Sequence, residues 1–325
     1  MKKDGLNYLE PKINRELLAG EYLTFSDANI LDILIKIAKS KNFSFNRNEV
    51  GQGLVAPQDF VSNNHLETLG DSAVKGQGIF ILSNAEKNSI NWNEGEKKLI
   101  KPFYTSDELN RYYAIEENKY WVIYTDSSFG AKFKGSKNNP PADLSKYPNI
   151  VRHLDQFKKV ITSDWKPYGL HRARNEKFFK GEKIISLRKC SDRPTFTYTN
   201  FPCYVSQTYF VIKPKDIDLK YLTGLLNSNL VKFWLKHKGK MQGNNFQIDK
   251  KPIMNIPIYK PAKDLGITIL VDQILTKKGS NPKTDITKEE KKIDLLVYKL
   301  YNLTWEEVQV VDPEFEMSEE KYEKS

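Results

Sequence analysis

The chain has 325 residues, 39% of them hydrophobic, enough apolar surface to build cores for two or three domains. No apolar run approaches the roughly 18 residues of a membrane span, and the start, Met1-Lys2-Lys3-Asp4-Gly5, lacks the apolar segment of a secretory signal. The protein is therefore expected in the cytoplasm, with no membrane contact. Two cysteines, Cys190 and Cys203, are too few for a disulfide framework or a closed four-ligand zinc site, so both are expected to be reduced and buried.

The net charge is +10 and its distribution is uneven. Residues 1–150 balance at zero and 261–325 carry −4, while 151–260 hold 22 basic and 8 acidic residues, a net of +14. A segment holding more than the whole net charge suits phosphates, because each phosphate neutralised releases counterions and drives binding. Surface charges otherwise tend to alternate in sign.

In chain order, Ser26-Asp27 is a plausible cap for a helix over 26–41, with Ile30, Leu31, Ile33, Leu34, Ile37 and Ala38 at helical spacing. Glycines and a proline punctuate 50–61 as in strands and turns. Strand signals recur at 78–82 and 119–124, and 127–148 reads as loop. Ile150, Leu154, Phe157 and Ile161 predict a helix, followed by short strands at 183–187, 195–198 and 204–212. The strongest predicted helix is 219–238, then a polar loop over 239–249 and an extended element at Ile256-Pro257-Ile258. A helical hairpin is expected from 263–276 and 288–301, a capping box at Thr304-Trp305-Glu306-Glu307, and a frayed end at 317–325. The expected class is α+β with a C-terminal helical segment.

Catalytic signals are weak. The pairs Gly51/Gly53 and Gly76/Gly78 do not follow a buried strand and open a helix, as a cofactor turn would, and are read as turns or bulges. Asn139-Pro140-Pro141-Ala142 resembles an amino-methyltransferase loop at three positions, with alanine where an aromatic would stack on the target base. Asp107 with Glu117-Asn118-Lys119 loosely fits a magnesium-dependent nuclease centre, but Glu117 precedes the strand rather than lying in it. His65, His153, His171 and His237 show no ligand spacing. The chain itself is expected to hold no cofactor or metal.

The richest basic stretch runs from Trp165 to Arg193. Arginine's planar fork can bond both acceptors on the guanine edge, whereas lysine acts as a point charge suited to phosphates. Arg172 and Arg174 are the candidate base or phosphate readers, with Lys166, Lys177, Lys180, Lys183, Arg188, Lys189 and Arg193 positioning the DNA backbone. Tyr168, Phe178 and Phe179 are expected to pack in a core rather than stack on bases. A second candidate surface, in the polar loop after the strong helix, offers Lys240, Gln242, Asn244 and Asn245, since Gln and Asn can pair with adenine.

Several blocks in order carry a family resemblance. They are 53–60 (GLVAPQDF), 99–104 through Arg111-Tyr112, 120–125, Tyr147-Pro148-Asn149-Ile150, Lys183-Ile184-Ile185, 221–228, Ile256-Pro257-Ile258 and 294–303. Together these resemble the TaqI-like C-terminal specificity region of adenine-specific DNA methyltransferases and combined type II restriction-modification enzymes, over about residues 20–312. The resemblance implies a mixed α and β target-recognition domain lying over the major groove of double-stranded DNA. It also implies a separate catalytic domain that binds S-adenosylmethionine, flips adenine and methylates it. The implied organisation is a helical linker over 1–50, a target-recognition domain over 51–260 and a helical hairpin with tail over 261–325. Asn227 and Ser228 are read as structural, bonding to nearby backbone. The other readings are a metal-dependent nuclease using Asp107, Glu117 and Lys119, and a protein-interaction module of the same system.

Overall fold

The structure, a computed structural model, describes residues 28–325 apart from 264. The predicted cap at Ser26-Asp27 and most of the 1–50 linker lie outside the described residues. In chain order the elements begin α1 (Ala28–Lys39), β1 (Val50–Gln52), α2 (Asn63–Leu69), β2 (Ile81–Ser83), α3 (Asn84–Ser89), α4 (Glu94–Lys97), β3 (Ile100–Tyr104) and β4 (Tyr120–Ile123). They continue α5 (Pro148–Asp155), β5 (Lys183–Leu187), β6 (Lys189–Cys190), β7 (Phe196–Thr199), β8 (Tyr204–Val205) and β9 (Tyr209–Ile212). Last come α6 (Leu219–Leu226), α7 (Asn229–Lys238), β10 (Lys240–Gln242), β11 (Asn245–Gln247), α8 (Lys250–Met254), α9 (Ile267–Ser280), α10 (Thr287–Leu300), α11 (Trp305–Val311) and α12 (Glu319–Glu323). The class is α+β with C-terminal helices, as expected. Among the described residues, no helix is long and apolar enough to cross a membrane.

The chain divides into two compact units. One, rich in strands, comprises 48–187 and 196–213. It holds an antiparallel sheet of order β1-β9-β5-β7 and a mixed sheet of order β2-β4-β3-β8, in which β3 and β8 run parallel. The first sheet is built on β-branched pairs, Ile184 opposite Ile212 and Ile185 opposite Val211, all buried. The second contributes Ile81, Leu82, Val122, Ile123 and Tyr204 to a core shared with Leu154, Phe157 and Phe179. α5 starts with Pro148 at its first helical positions, where a missing N–H costs nothing, and buries Ile150 and Leu154.

Two close approaches in this unit depend on glycine. Gly53 donates to the Tyr209 carbonyl, and a Cβ placed on it would lie 2.1 Å from the Ser206 oxygen and 2.5 Å from the Val205 oxygen. A Cβ on Gly78 would lie 2.3 Å from the Ile81 carbonyl. Gly51 faces only the edge of the Phe178 ring, at 2.9 Å.

The other unit comprises 188–195, 214–325 and the described part of 1–47. Here the expected single helix over 219–238 is two. Ser228 ends α6 by donating to the Leu225 carbonyl and caps α7 by accepting from the Val231 amide, while Asn227 donates to the Thr223 carbonyl. Apolar spacing cannot register this break, because the cap restarts the helix with Leu230, Val231, Phe233 and Trp234 still inward. α6 packs on α9 and α9 on α10, so the predicted helical hairpin is present. The capping box at Thr304 and Glu307 has both of its bonds. The end expected to fray is ordered as α12: Tyr322 is 1% exposed, and its hydroxyl donates to the Leu303 carbonyl at 2.8 Å. Tyr322 also meets the Phe315 ring edge-on, with centroids 5.9 Å apart, and so ties the short terminal helix to its unit.

Candidate nucleic-acid interface

The +14 segment is shared between the two units. In the strand-rich unit, Lys166, Arg172, Lys177 and Lys180 are exposed. Arg172 exchanges backbone hydrogen bonds with Val55, which fixes its Cα while the side chain faces solvent. Arg174 is held differently: its φ is +66°, its carbonyl accepts from the Tyr124 hydroxyl, and its guanidinium donates to Gln52 Oε1 at 3.0 Å and the Gly53 carbonyl at 3.3 Å. Burial, then the charge of Arg172, lowers its pKa. We therefore expect Arg174→Ala to cost about 1–2 kcal/mol of folding stability, and Arg172→Ala to leave stability within about 0.5 kcal/mol. Urea unfolding of the two variants separates them, and equal stability losses would refute the distinction.

Lys180 pairs with Glu176 at 2.7 Å, and Glu176 also takes Lys101 at 3.1 Å and the Tyr204 hydroxyl at 2.6 Å. Burial would raise the Glu176 pKa, but the bonds from Lys180, Tyr204 and Lys101 outweigh it and bring it down to about 2. Much of the Lys180 charge is therefore compensated locally. Lys183 is a correction. It is 0% exposed, with its ammonium donating to the Gly181 and Phe201 carbonyls, and burial pushes its pKa down to about 8. A side chain sealed within β5 cannot reach a phosphate. The aromatics pack as expected: Phe179 stacks on Tyr204 with centroids 4.9 Å apart, and the Tyr168 hydroxyl donates to Asp155.

In the helical unit, the stretch expected to be a polar loop is a β-hairpin. β10 and β11 pair antiparallel across the two-residue connection Gly243-Asn244, with Gly243 at φ +59°, and β11 pairs with β6. Met241, Phe246 and Cys190 align on the inner face, where Phe246 and Cys190 are buried. Lys240, Gln247 and Lys189 align across the three strands on the opposite face, and Gln242 lies opposite Asn245 beside the turn. Lys189, Lys240, Gln242, Asn244 and Asn245 are exposed. The signal was present in the sequence: polar and apolar residues alternate on both sides of a Gly-Asn pair.

Asp249 fastens the base of this ribbon. Its carboxylate accepts from Arg188 Nε at 2.6 Å and Gln247 Nε2 at 2.9 Å, and Lys240 Nζ lies 3.8 Å away. The Arg188 carbonyl accepts from the Ile248 amide. Arg193 donates to Asn229 Oδ1 at 2.7 Å. Arg188 and Arg193 are thus half-buried with their guanidinium groups engaged by protein. Both cysteines are free and buried, and the burial is as expected.

The nuclease candidates do not gather into a centre. Lys119 pairs with Asp107 at 2.7 Å on an exposed surface, Glu117 lies in the turn before β4, and among the described residues no three His, Cys, Asp or Glu side chains cluster to hold a metal. His153 is buried, with Nε2 2.9 Å from the Ile79 carbonyl, and His65 completes the cap of α2.

The chain is similar to several known proteins. Type II methyltransferase M.MjaIV of Methanocaldococcus jannaschii is 25% identical over 255 residues, covering 72% of this chain and 80% of its own length. Type II methyltransferase M.HindII of Haemophilus influenzae is 32% identical over 132 residues, covering 36% of this chain and 26% of its own length. M.HincII, also of Haemophilus influenzae, is 26% identical over 138 residues, and this chain spans only 28% of its length. The fold is similar to that of the type IIL restriction-modification enzyme MmeI, solved in complex with DNA. That match has a TM-score of 0.52 at 13% identity and covers 88% of this chain and 36% of that one. The model of the TaqI-like C-terminal specificity domain matches residues 84–258, more than half of the sequence, and the chain belongs to that family.

Proposed function

We propose that this chain recognises a specific sequence in duplex DNA for an adenine-N6 methyltransferase of a restriction-modification system. A separate catalytic domain or subunit, meeting it in the cytoplasm, would bind S-adenosylmethionine and carry out methyl transfer. The observation that carries this reading is the coincidence of the family match over 84–258 with the +14 segment over 151–260. Exposed Lys166, Arg172, Lys177, Lys189 and Lys240 would contact phosphates, and the exposed amide side chains would read bases.

Five such phosphate contacts give an expected slope of about −4.5 in log binding constant against log salt, which amounts to a loss of roughly 500-fold between 50 and 200 mM. Titrating fluorescent 30-base-pair duplexes with the purified chain over that range measures it. Failure to retain duplex at 50 mM salt, or a slope near zero, would refute DNA recognition. Reconstitution with the catalytic subunit is expected to place the methyl group on adenine N6, and a modified cytosine would overturn that part.

A further inference from the structure

Resting on the reading of the chain as a DNA-recognition module, we infer that the β10–β11 ribbon enters the major groove and reads A·T base pairs through Gln242 and Asn245, with Lys189 and Lys240 on the flanking phosphates. Gln242 and Asn245 are directly opposite in the antiparallel register, which sets their Cα atoms about 5 Å apart on one face. Both are exposed beside a two-residue turn, and among the described residues neither side-chain amide has a protein hydrogen-bond partner. Two adjacent primary amides on a rigid support can each offer the donor and acceptor pair that matches adenine N7 and N6.

The supporting geometry is as specific as the tip. The major groove is about 12 Å wide and admits a two-stranded ribbon. Moving two residues along a strand advances about 7 Å, so the Lys240–Gln247–Lys189 row stands one step back from the amides. That is where a tip in the groove leaves charges beside the phosphate backbone. The row crosses three strands, placing its two lysines about 10 Å apart. Gln247 belongs to the same face, but Asp249 holds its amide, so it orients the ribbon rather than reading from it. Phe246 and Cys190 anchor the opposite face, and Arg188 locks Asp249 in place. The tip is therefore held in position before any DNA arrives, and little ordering entropy is lost on binding.

The test uses the full chain and a library of 30-base-pair duplexes with a randomised central 14. Wild-type protein is expected to select a motif with A·T pairs at fixed positions. The double variant Gln242→Ala/Asn245→Ala should lose about 10- to 100-fold of its discrimination at one or two of those positions, while binding to unselected duplex stays within twofold. Lys189→Ala and Lys240→Ala should weaken all duplexes evenly, each lowering the salt slope by about one. All four positions are exposed, and an unchanged melting temperature confirms folding. If the double variant selects the same motif as strongly as wild type, or the lost preference falls on G·C pairs, the ribbon is not the A·T reader and DNA recognition stands. If wild-type protein selects no motif, sequence recognition itself fails and the inference goes with it.

Discussion

Replacing Glu96 by alanine is expected to lower the unfolding free energy by about 3–5 kcal/mol, because its four hydrogen bonds, at about 1.5–3 kcal/mol each, are partly offset by the cost of burying the charge. The carboxylate is wholly buried and accepts four hydrogen bonds. Oε1 accepts from the amides of Asn149 at 2.6 Å and Ile150 at 3.1 Å, and Oε2 accepts from the Asn149 side chain at 2.7 Å and the Asn93 amide at 2.9 Å. It thereby closes the cap of α4 and satisfies the free amides at the start of α5. Burial alone would raise its pKa, but the bonds from Asn149, Asn93 and Ile150 outweigh it and hold the pKa below 4.5. With the folded value below the unfolded one, the contribution is complete above pH 4.5 and disappears as the pH falls through the folded value. Glu96→Gln should therefore be less stable than wild type at pH 7, and the gap should narrow as the pH drops below 4.5. Urea unfolding at pH 7 and pH 3.5 measures both. A loss under 1 kcal/mol at pH 7, or a gap that widens in acid, would refute the role.

Gly53→Ala should cost about 3 kcal/mol, at the upper end for overpacking, because the obstructing atoms are carbonyl oxygens of Val205 and Ser206. These belong to a backbone paired with Leu54, so they cannot rotate away as a side chain would. Gly51→Ala, two residues earlier, provides the control. Its obstruction is the rim of the partly exposed Phe178 ring, and the expected loss is about 1 kcal/mol or less. Melting curves of the two variants should differ by several degrees, and equal midpoints would show that the strand pair opens to accommodate the methyl group.

Much of this was readable in the chain and some was not, for reasons that lie in how signals propagate. Capping at Thr304 and Glu307 is local, so four residues suffice to predict it. The family blocks were visible because they are contiguous, yet what the Tyr147-Pro148-Asn149-Ile150 block does was hidden. Its partner, Glu96, lies 53 residues away from Asn149. The same holds for the candidate interface. Charge counting found the cationic segment, but Lys183 counts as +1 whether it faces water or two carbonyls. The alternation on both sides of Gly243-Asn244 is local and legible as a hairpin, but the third strand, Lys189 and Cys190, joins it from a distant segment that no local pattern reveals. Arg174 differs from Arg172 through the Gln52 amide and the Gly53 carbonyl, neither of which is near it in sequence.

The chain leaves the strand-rich unit after Leu187, contributes 188–195 to the helical one, and returns at Phe196 before crossing again at Pro214. No single cut can separate the two, and no single recombination joint between 48 and 213 can exchange one whole unit between homologous genes. A chimera that keeps either unit whole therefore needs more than one joint, whereas the 240–247 ribbon, whose ends lie side by side, can be replaced as one contiguous segment.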